Sequence, residues 1–389
     1  MRIPLLDLKA QYATIREQVR AAVDDVLDNQ RFILGPHVAA LEQEIAKLCR
    51  VPHAVAVASG TDALLLALKA LGVGPGDSVV TVPFTFFATA GAIANLGARP
   101  IFTDIDEASF NLSPDFLDRF LARECTFNLT SQKLIHKSSG STVKALVPVH
   151  LYGQCADMTE ILQIASRYGL PVIEDACQAI GAEYGGRRAG TMGDLGCFSF
   201  FPSKNLGGAG DGGMVVTTSD ELAGRVRLLR THGAQPKYYH AVVGFNSRLD
   251  EIQAAILRVK LAHLETWSLA RNNNAATYEE LFQEAGLNGK VKVPACAAGR
   301  THIYHQYVIR CSKRDELQAF LKSSGIGTEI YYPVPLHEQE CFRYLGYAPA
   351  DMPRSRAAAR EVLALPVYPE LTREQIACVV ATIAEFYTP

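Results

Sequence analysis

Short apolar runs alternate with amphipathic stretches through the first half of the chain, and this alternation limits the possible folds more than any other feature. The runs lie at 53–58, 78–82, 99–104, 145–150, 171–174, 196–200 and 213–217. Helical spacing fills the gaps, for example at 62–71 and 159–168. Strands separated by helices pair in parallel, because each crossover returns the chain to begin the next strand at the same end of the sheet; helices then cover both faces. The expected fold class is α/β, with a largely parallel sheet. Ligands in such sheets bind at the carboxyl ends of the strands, which directs attention to the residues that follow each run.

After Asn246 the pattern changes. Helical periodicity runs from 247 to about 278, with Leu249, Ile252, Ile256 and Val259 on one face. Beyond it come strand-like pieces at 306–310 and 328–332 and helical pieces at 315–323 and 373–387, punctuated by prolines at 333–335 and 366–369. The expected division is a large domain over 1–250, including an N-terminal arm over 1–30, and a linking helix with a smaller α+β domain over 251–389. Residues 5–27 read as an arm and a helix that packs on the body or on a partner. The polar, Ser/Thr/Lys-rich stretch 124–141 reads as an exposed loop or a poorly ordered insertion.

Composition narrows the function classes. At 389 residues, with 48% hydrophobic and 20% charged side chains, the chain has the makeup of an ordinary globular protein of about two domains. A net charge of −2, from 38 basic and 40 acidic residues, gives no reason to expect a nucleic acid or an anionic membrane as partner. The nine cysteines show no Cys-x-x-Cys pair. With no secretory signal at the start they read as reduced thiols, and the expected location is the cytoplasm. Residues 79–98 carry no charge over the length of a membrane span. Pro83, Gly91, Asn95 and Gly97 interrupt them, so a buried strand, a loop and a buried helix describe them better.

Three segments carry chemistry. Ser59-Gly60-Thr61-Asp62 follows an apolar run and opens a helix, whose free N–H groups and positive partial charge suit a phosphate. An ordinary N-cap by Ser59 or Thr61 is the plainer alternative. Asp175 ends a run, with Gln178 three residues on; a carboxylate there can keep a pyridine nitrogen protonated and an amide can hold a ring hydroxyl. Capping of a following helix would explain Asp175 equally well. Lys204 stands after Phe198, Phe200, Phe201 and Pro202, which can desolvate it and free its amine as a nucleophile. Ser199 is placed to give a hydroxyl to the phosphate. Phe84 could stack on a planar ring, with core packing expected for Phe86 and Phe87. Asn246 could reach a phosphate or cap the helix after it. Residues 208–213 match the letters G-x-G-x-x-G, but an apolar strand follows them instead of a helix, so a dinucleotide site is rejected. The histidines at 302, 305 and 337 lack metal-ligand spacing.

Taken together these residues resemble the sugar-nucleotide aminotransferases of the DegT/DnrJ/EryC1/StrS family. The resemblance runs from Pro4-Leu5-Leu6-Asp7-Leu8 to the last helix. Its most specific parts are 59–64, Val149-His150-Leu151-Tyr152-Gly153-Gln154, Glu174-Asp175-Ala176-Cys177-Gln178-Ala179, the Lys204 segment, and Gly244-Phe245-Asn246-Ser247-Arg248-Leu249-Asp250. It implies a fold type I, pyridoxal 5'-phosphate (PLP)-dependent transferase, with a mostly parallel mixed sheet in the large domain, and a homodimer with shared active sites. By motif, Lys204 would be the Schiff-base lysine, Asp175 the partner of the pyridine nitrogen and Gln178 that of the ring hydroxyl. Gly60, Thr61 and Ser199 would bind phosphate, joined by Asn246 from the neighbouring subunit, and Phe84 would lie against the ring. Lys237 resembles a family lysine that approaches the nucleotide diphosphate; Tyr184, Tyr332 and His337 sit in segments that line the sugar pocket. The implied reaction is transamination of a nucleotide-linked keto-hexose, with its keto group at C3, by L-glutamate. Amination at C4 and a non-catalytic regulatory member of the same fold are the alternatives.

Overall fold

A computed structural model of the protein describes residues 2–388. Seven strands build the main sheet: β1 (His53–Val57), β2 (Asp77–Thr81), β3 (Arg99–Phe102), β4 (Thr142–Leu146), β5 (Ile173–Asp175), β6 (Leu195–Ser199) and β7 (Gly213–Thr217). Their order is β3-β2-β4-β5-β6-β7-β1. The β4–β5 step is carried by isolated parallel bridges, Leu146 to Val172 and Val149 to Asp175. Only β7 runs against the others, antiparallel to both β6 and β1. All seven expected strands form. The fourth is regular over 142–146, earlier than expected, and the residues after it still bond to both neighbours: Val147 N donates to Val80 O at 2.8 Å and His150 N to Asp175 O at 3.0 Å.

The strands read as continuous apolar runs because both faces are covered. Alternate residues go to opposite sides: Ala54, Ala56, Val80, Phe198 and Met214 join one core, while Val55, Val57, Val79, Cys197 and Val215 join the other. A third core lies around Tyr278, Tyr307, Leu317, Leu363 and Ile383, and it includes Ile3 from the N-terminal arm.

Three sequence expectations are corrected. Residues 124–141 form a hairpin, Cys125–Asn128 paired with Lys133–His136. Cys125, Leu134 and His136 are buried while Thr126, Phe127, Asn128 and Lys133 are exposed, and four-residue strands with so few buried positions do not stand out from the polar composition. The single helix expected from 247 to 278 is two, Glu251–Leu261 and Leu264–Glu284. The break lets Ile252, Ile256 and Val259 pack on Ile15 and Val19 of the helix Leu8–Asn29, while Tyr278 and Phe282 continue into the third core. Residues 328–332 make only one bridge, Glu329 to Ala364. The small sheet consists instead of Val291–Lys292, Tyr307–Cys311 and Val362–Leu365. No helix among the described residues is long and apolar enough to cross a membrane.

Two buried carboxylates fasten distant helix starts. Glu251 accepts from the backbone N–H of Gly35 (2.9 Å), His37 and Val38 (3.2 Å) at the head of the helix Pro36–Cys49. Asp104, just past β3, accepts from Arg354 N (2.8 Å), Ser355 N (2.9 Å) and Ser355 Oγ (2.5 Å), so the helix Pro353–Glu361 docks on the main sheet. Each carboxylate satisfies amides that a helix start leaves without partners.

Candidate active site

The carboxyl ends of β1, β5 and β6 converge on a cavity of about 620 Å³. The convergence depends on glycine at two positions. A Cβ on Gly60 would lie 2.5 Å from Ser199 Cβ, and one on Gly213 would lie 2.3 Å from Ser59 O. Without side chains there, the helix Gly60–Ala70 begins against the end of β6 and the start of β7. Ser59 caps this helix, its Oγ accepting from Asp62 N at 3.0 Å. The amides of Gly60 and Thr61 open the first turn, where no intrahelical acceptor exists. They line the cavity together with Ser199, and this corner suits an anion.

Across the cavity stands Asp175, the last residue of β5 and buried. Its Oδ2 accepts from Thr89 Oγ1 (2.7 Å), which in turn touches Thr85 Oγ1 (3.1 Å); its Oδ1 accepts from Cys177 N (3.2 Å). Behind it, Glu174 is fully buried and accepts from the amides of Gly190 (2.8 Å), Met192 (2.5 Å) and Gly193 (2.6 Å). His150 Nε2 lies 2.7 Å from Glu174 Oε2, and His150 Nδ1 accepts from Ala156 N at 3.1 Å, so the ring proton sits on Nε2. These bonds hold the Glu174–Asp175 backbone rigidly beneath the cavity. Gln178 is clamped at both ends: Tyr152 N donates to its Oε1 at 2.8 Å, and its Nε2 donates to Tyr332 Oη at 3.0 Å.

Lys204 enters the same cavity from the turn after β6, where its N–H donates to Phe201 O at 2.8 Å. Desolvation by burial pushes its amine below the ordinary lysine value, opposed by the neighbouring Cys177 and Asp175 side chains. A lysine so depressed gives up its proton more readily and becomes a nucleophile and proton carrier. His305 also lines the cavity. Burial holds its ring well below the usual histidine range, and the charge of Lys204 adds to that. It is therefore neutral at physiological pH, with Nδ1 3.1 Å from Asn205 Oδ1.

Of the residues expected at the site, Gly60, Thr61, Asp175, Gln178, Ser199, Lys204 and Tyr332 line this one cavity. The other five lie elsewhere in the chain. Phe84 is corrected: it is fully buried, packed on Phe110 and Tyr332 at ring distances of 6.0 and 6.2 Å, and Phe86, expected in the core, faces the cavity. Tyr184 donates to Asp157 Oδ1 at 2.9 Å and carries the Arg300 guanidinium over its ring. Lys237 is exposed, its ammonium 4.9 Å from the centre of the neighbouring Tyr238 ring. Asn246 is exposed, and its Oδ1 accepts from Arg248 Nη2 at 2.7 Å. His337 is buried against Tyr347 with neither ring nitrogen hydrogen-bonded. Sequence reasoning did not find Tyr331, Gln306 or Glu329, which line the cavity, or Thr89, which holds Asp175, because nothing local marks them: long-range packing brings each to the site.

The donor set fits an aldehyde cofactor with a phosphate and a pyridine ring. An anion corner, a carboxylate, an amide and a depressed lysine face one space, and the paired glycines leave the phosphate corner open. Comparison with known proteins agrees. The family model described as "DegT/DnrJ/EryC1/StrS aminotransferase family" matches residues 13–384. The chain is 50% identical, over 100% of its own length and 99% of the relative's, to a "Pleiotropic regulatory protein" of Geobacillus stearothermophilus. It is 45% identical, over 98% and 97%, to the UDP-N-acetyl-3-dehydro-alpha-D-glucosamine 3-aminotransferase of Acidithiobacillus ferrooxidans. Among solved structures, S. venezuelae DesV in complex with a ketimine intermediate superposes with a TM-score of 0.91 at 41% identity, covering 99% of this chain and 98% of that one.

Proposed function

The chain belongs to the DegT/DnrJ/EryC1/StrS aminotransferase family and is a PLP-dependent enzyme of fold type I; from that premise we propose that it moves the amino group of L-glutamate onto C3 of a nucleotide-linked 3-keto-hexose. One observation carries the reading: the depressed Lys204 amine, the Asp175 carboxylate and the helix-start amides of Gly60 and Thr61 open onto a single cavity. The C3 position rests on the named activity of the Acidithiobacillus relative.

When bound, PLP would supply an electron sink and a carbonyl carbon on which an amino group can be carried. The roles of the side chains follow from their chemistry. Gly60, Thr61 and Ser199 would hold the phosphate. Asp175, fixed by Thr89, would keep the pyridine nitrogen protonated. Gln178, clamped between Tyr152 and Tyr332, would set the tilt of the ring, and Phe86 would cover its face in the place first assigned to Phe84. Lys204 would hold the cofactor covalently through its amine. Once released, the amine would take the proton from the donor α-carbon, return one at the cofactor, and run the same transfer in reverse for the sugar. Asn246 and Lys237 lie outside this cavity and would act from a second subunit, Asn246 on the phosphate and Lys237 on the nucleotide diphosphate.

The relative named as a regulatory protein supports a second reading, a member that keeps the fold without turnover. Absorption spectra of the PLP-supplemented protein separate the two. In the enzyme, L-glutamate converts the visible band of lysine-bound cofactor into the near-ultraviolet band of pyridoxamine phosphate, and Lys204→Ala lacks both the visible band and a borohydride-reducible adduct. A wild-type protein that takes up no PLP favours the regulatory reading. A Lys204→Ala protein that still transaminates removes Lys204 from the mechanism.

A further inference from the structure

We propose, on the basis of the aminotransferase reading above, that Glu329 makes the sugar site select an uncharged hexose over a hexuronate. The volume of about 620 Å³ suits the cofactor and one hexose ring, so the nucleotide would extend beyond it. One wall is the segment 329–332. At its inner end the Tyr332 hydroxyl accepts from Gln178 Nε2 at 3.0 Å. At its outer end, three residues away, Glu329 is exposed to the cavity mouth. A hexose with its keto carbon at Lys204 presents its remaining substituents to the cavity walls, and this segment is one of them.

The position of Glu329 is set by the backbone. Its N–H donates to Ala364 O at 3.3 Å, and its carbonyl accepts from Ala364 N at 2.8 Å, on the buried strand Val362–Leu365. Its Oε1 accepts from the N–H of Ile330 at 2.9 Å. Among the described residues it makes no other side-chain hydrogen bond and no ion pair, so Oε2 is free to accept a sugar hydroxyl. Asp175 and Asp211 are the other carboxylates on the lining, and Lys204 is the one cationic lining side chain among the described residues, with His305 held neutral. A hydroxymethyl group at sugar C6 can donate to Glu329. A carboxylate at C6 would add a further negative charge beside Glu329, on a wall where the described residues of this chain supply no cation other than Lys204, which is occupied by the chemistry.

The test uses the PLP-loaded protein and two stable probes that differ only at C6, UDP-N-acetylglucosamine and its 6-carboxylate. Titration calorimetry should give a Kd for the neutral sugar lower by at least about tenfold, the effect of one unneutralised like charge a few ångström away. Glu329→Gln should bring the ratio close to one, Glu329→Asp should keep it, and Glu329→Arg should reverse it. Equal affinities in the wild type, an unchanged ratio in Glu329→Gln, or no binding of either sugar would each overturn the inference. The glutamate-driven spectral change is read separately. A protein that discriminates between the sugars yet ignores glutamate would sink the transamination reading alone.

Discussion

Lys260 shows how much a single buried amine can reveal. It is buried, and its Nζ donates to Gly207 O at 2.5 Å, bracing the glycine run that follows Lys204. Desolvation lowers its pKa to about 8, whereas an unfolded lysine titrates near 10.4. The sign follows from proton counts. Between these two values the unfolded chain binds more protons than the folded one, so this residue's contribution to stability rises with pH across about 8 to 10.5 and is most unfavourable below 8. Replacing it isolates the effect: the stability of the wild type minus that of Lys260→Met, from urea titrations at pH 7 to 10.5, should increase with pH. A flat difference would mean that the amine is as well solvated as in the unfolded chain. The same scale shows where sequence reading succeeds and fails. Lys204 could be picked out because the apolar run Phe198, Phe200 and Phe201 directly precedes it in the chain, and Phe201 lines the cavity beside it. The choice between Phe84 and Phe86 was not, because it depends on Phe110 and Tyr332, which arrive from elsewhere.

At the scale of elements, local signals account for what could be foreseen. The helix Arg373–Tyr387 has its own capping box, Thr372 with Gln375, and its bounds match the expected 373–387. The strand Val362–Leu365 was missed because it follows the helix Pro353–Glu361 with no turn residue between them. The helix Pro36–Cys49 has no local side-chain cap; its cap is Glu251, invisible to any window along the chain. Glu251→Ala should leave three amides of that helix start unsatisfied and lower stability by about 2–4 kcal/mol. Glu251→Gln, which keeps one acceptor oxygen, should lose less. Denaturant midpoints of the two variants check this. Equal, small losses would mean that water replaces the carboxylate without penalty.

At the scale of the whole molecule, the alternation of strands and helices predicted the α/β class and the placement of the site at strand ends. It did not reveal that β7 runs backwards, since antiparallel pairing with β1 and β6 leaves no mark in a strand buried on both faces. Sharing of the site between subunits is testable with residues already placed. Lys204→Ala and Asn246→Ala proteins, each impaired alone, should regain activity when unfolded and refolded together, with about a quarter of the sites intact in a random mixture of dimers. No recovery would confine the whole site to one chain. The pairing of β1 with β7 has a further consequence for how the protein is made. His53–Val57 hydrogen-bonds only to Gly213–Thr217 within the main sheet, and the approach of Ser59 to Gly213 and of Gly60 to Ser199 depends on that pairing. On the ribosome, the phosphate corner therefore cannot exist until residue 217 has left the exit tunnel, however early residues 53–61 emerge. A nascent chain stalled short of that point has Ser59, Gly60, Thr61 and Ser199 without the geometry that joins them, and the phosphate corner should form in one step as the seventh strand closes the sheet.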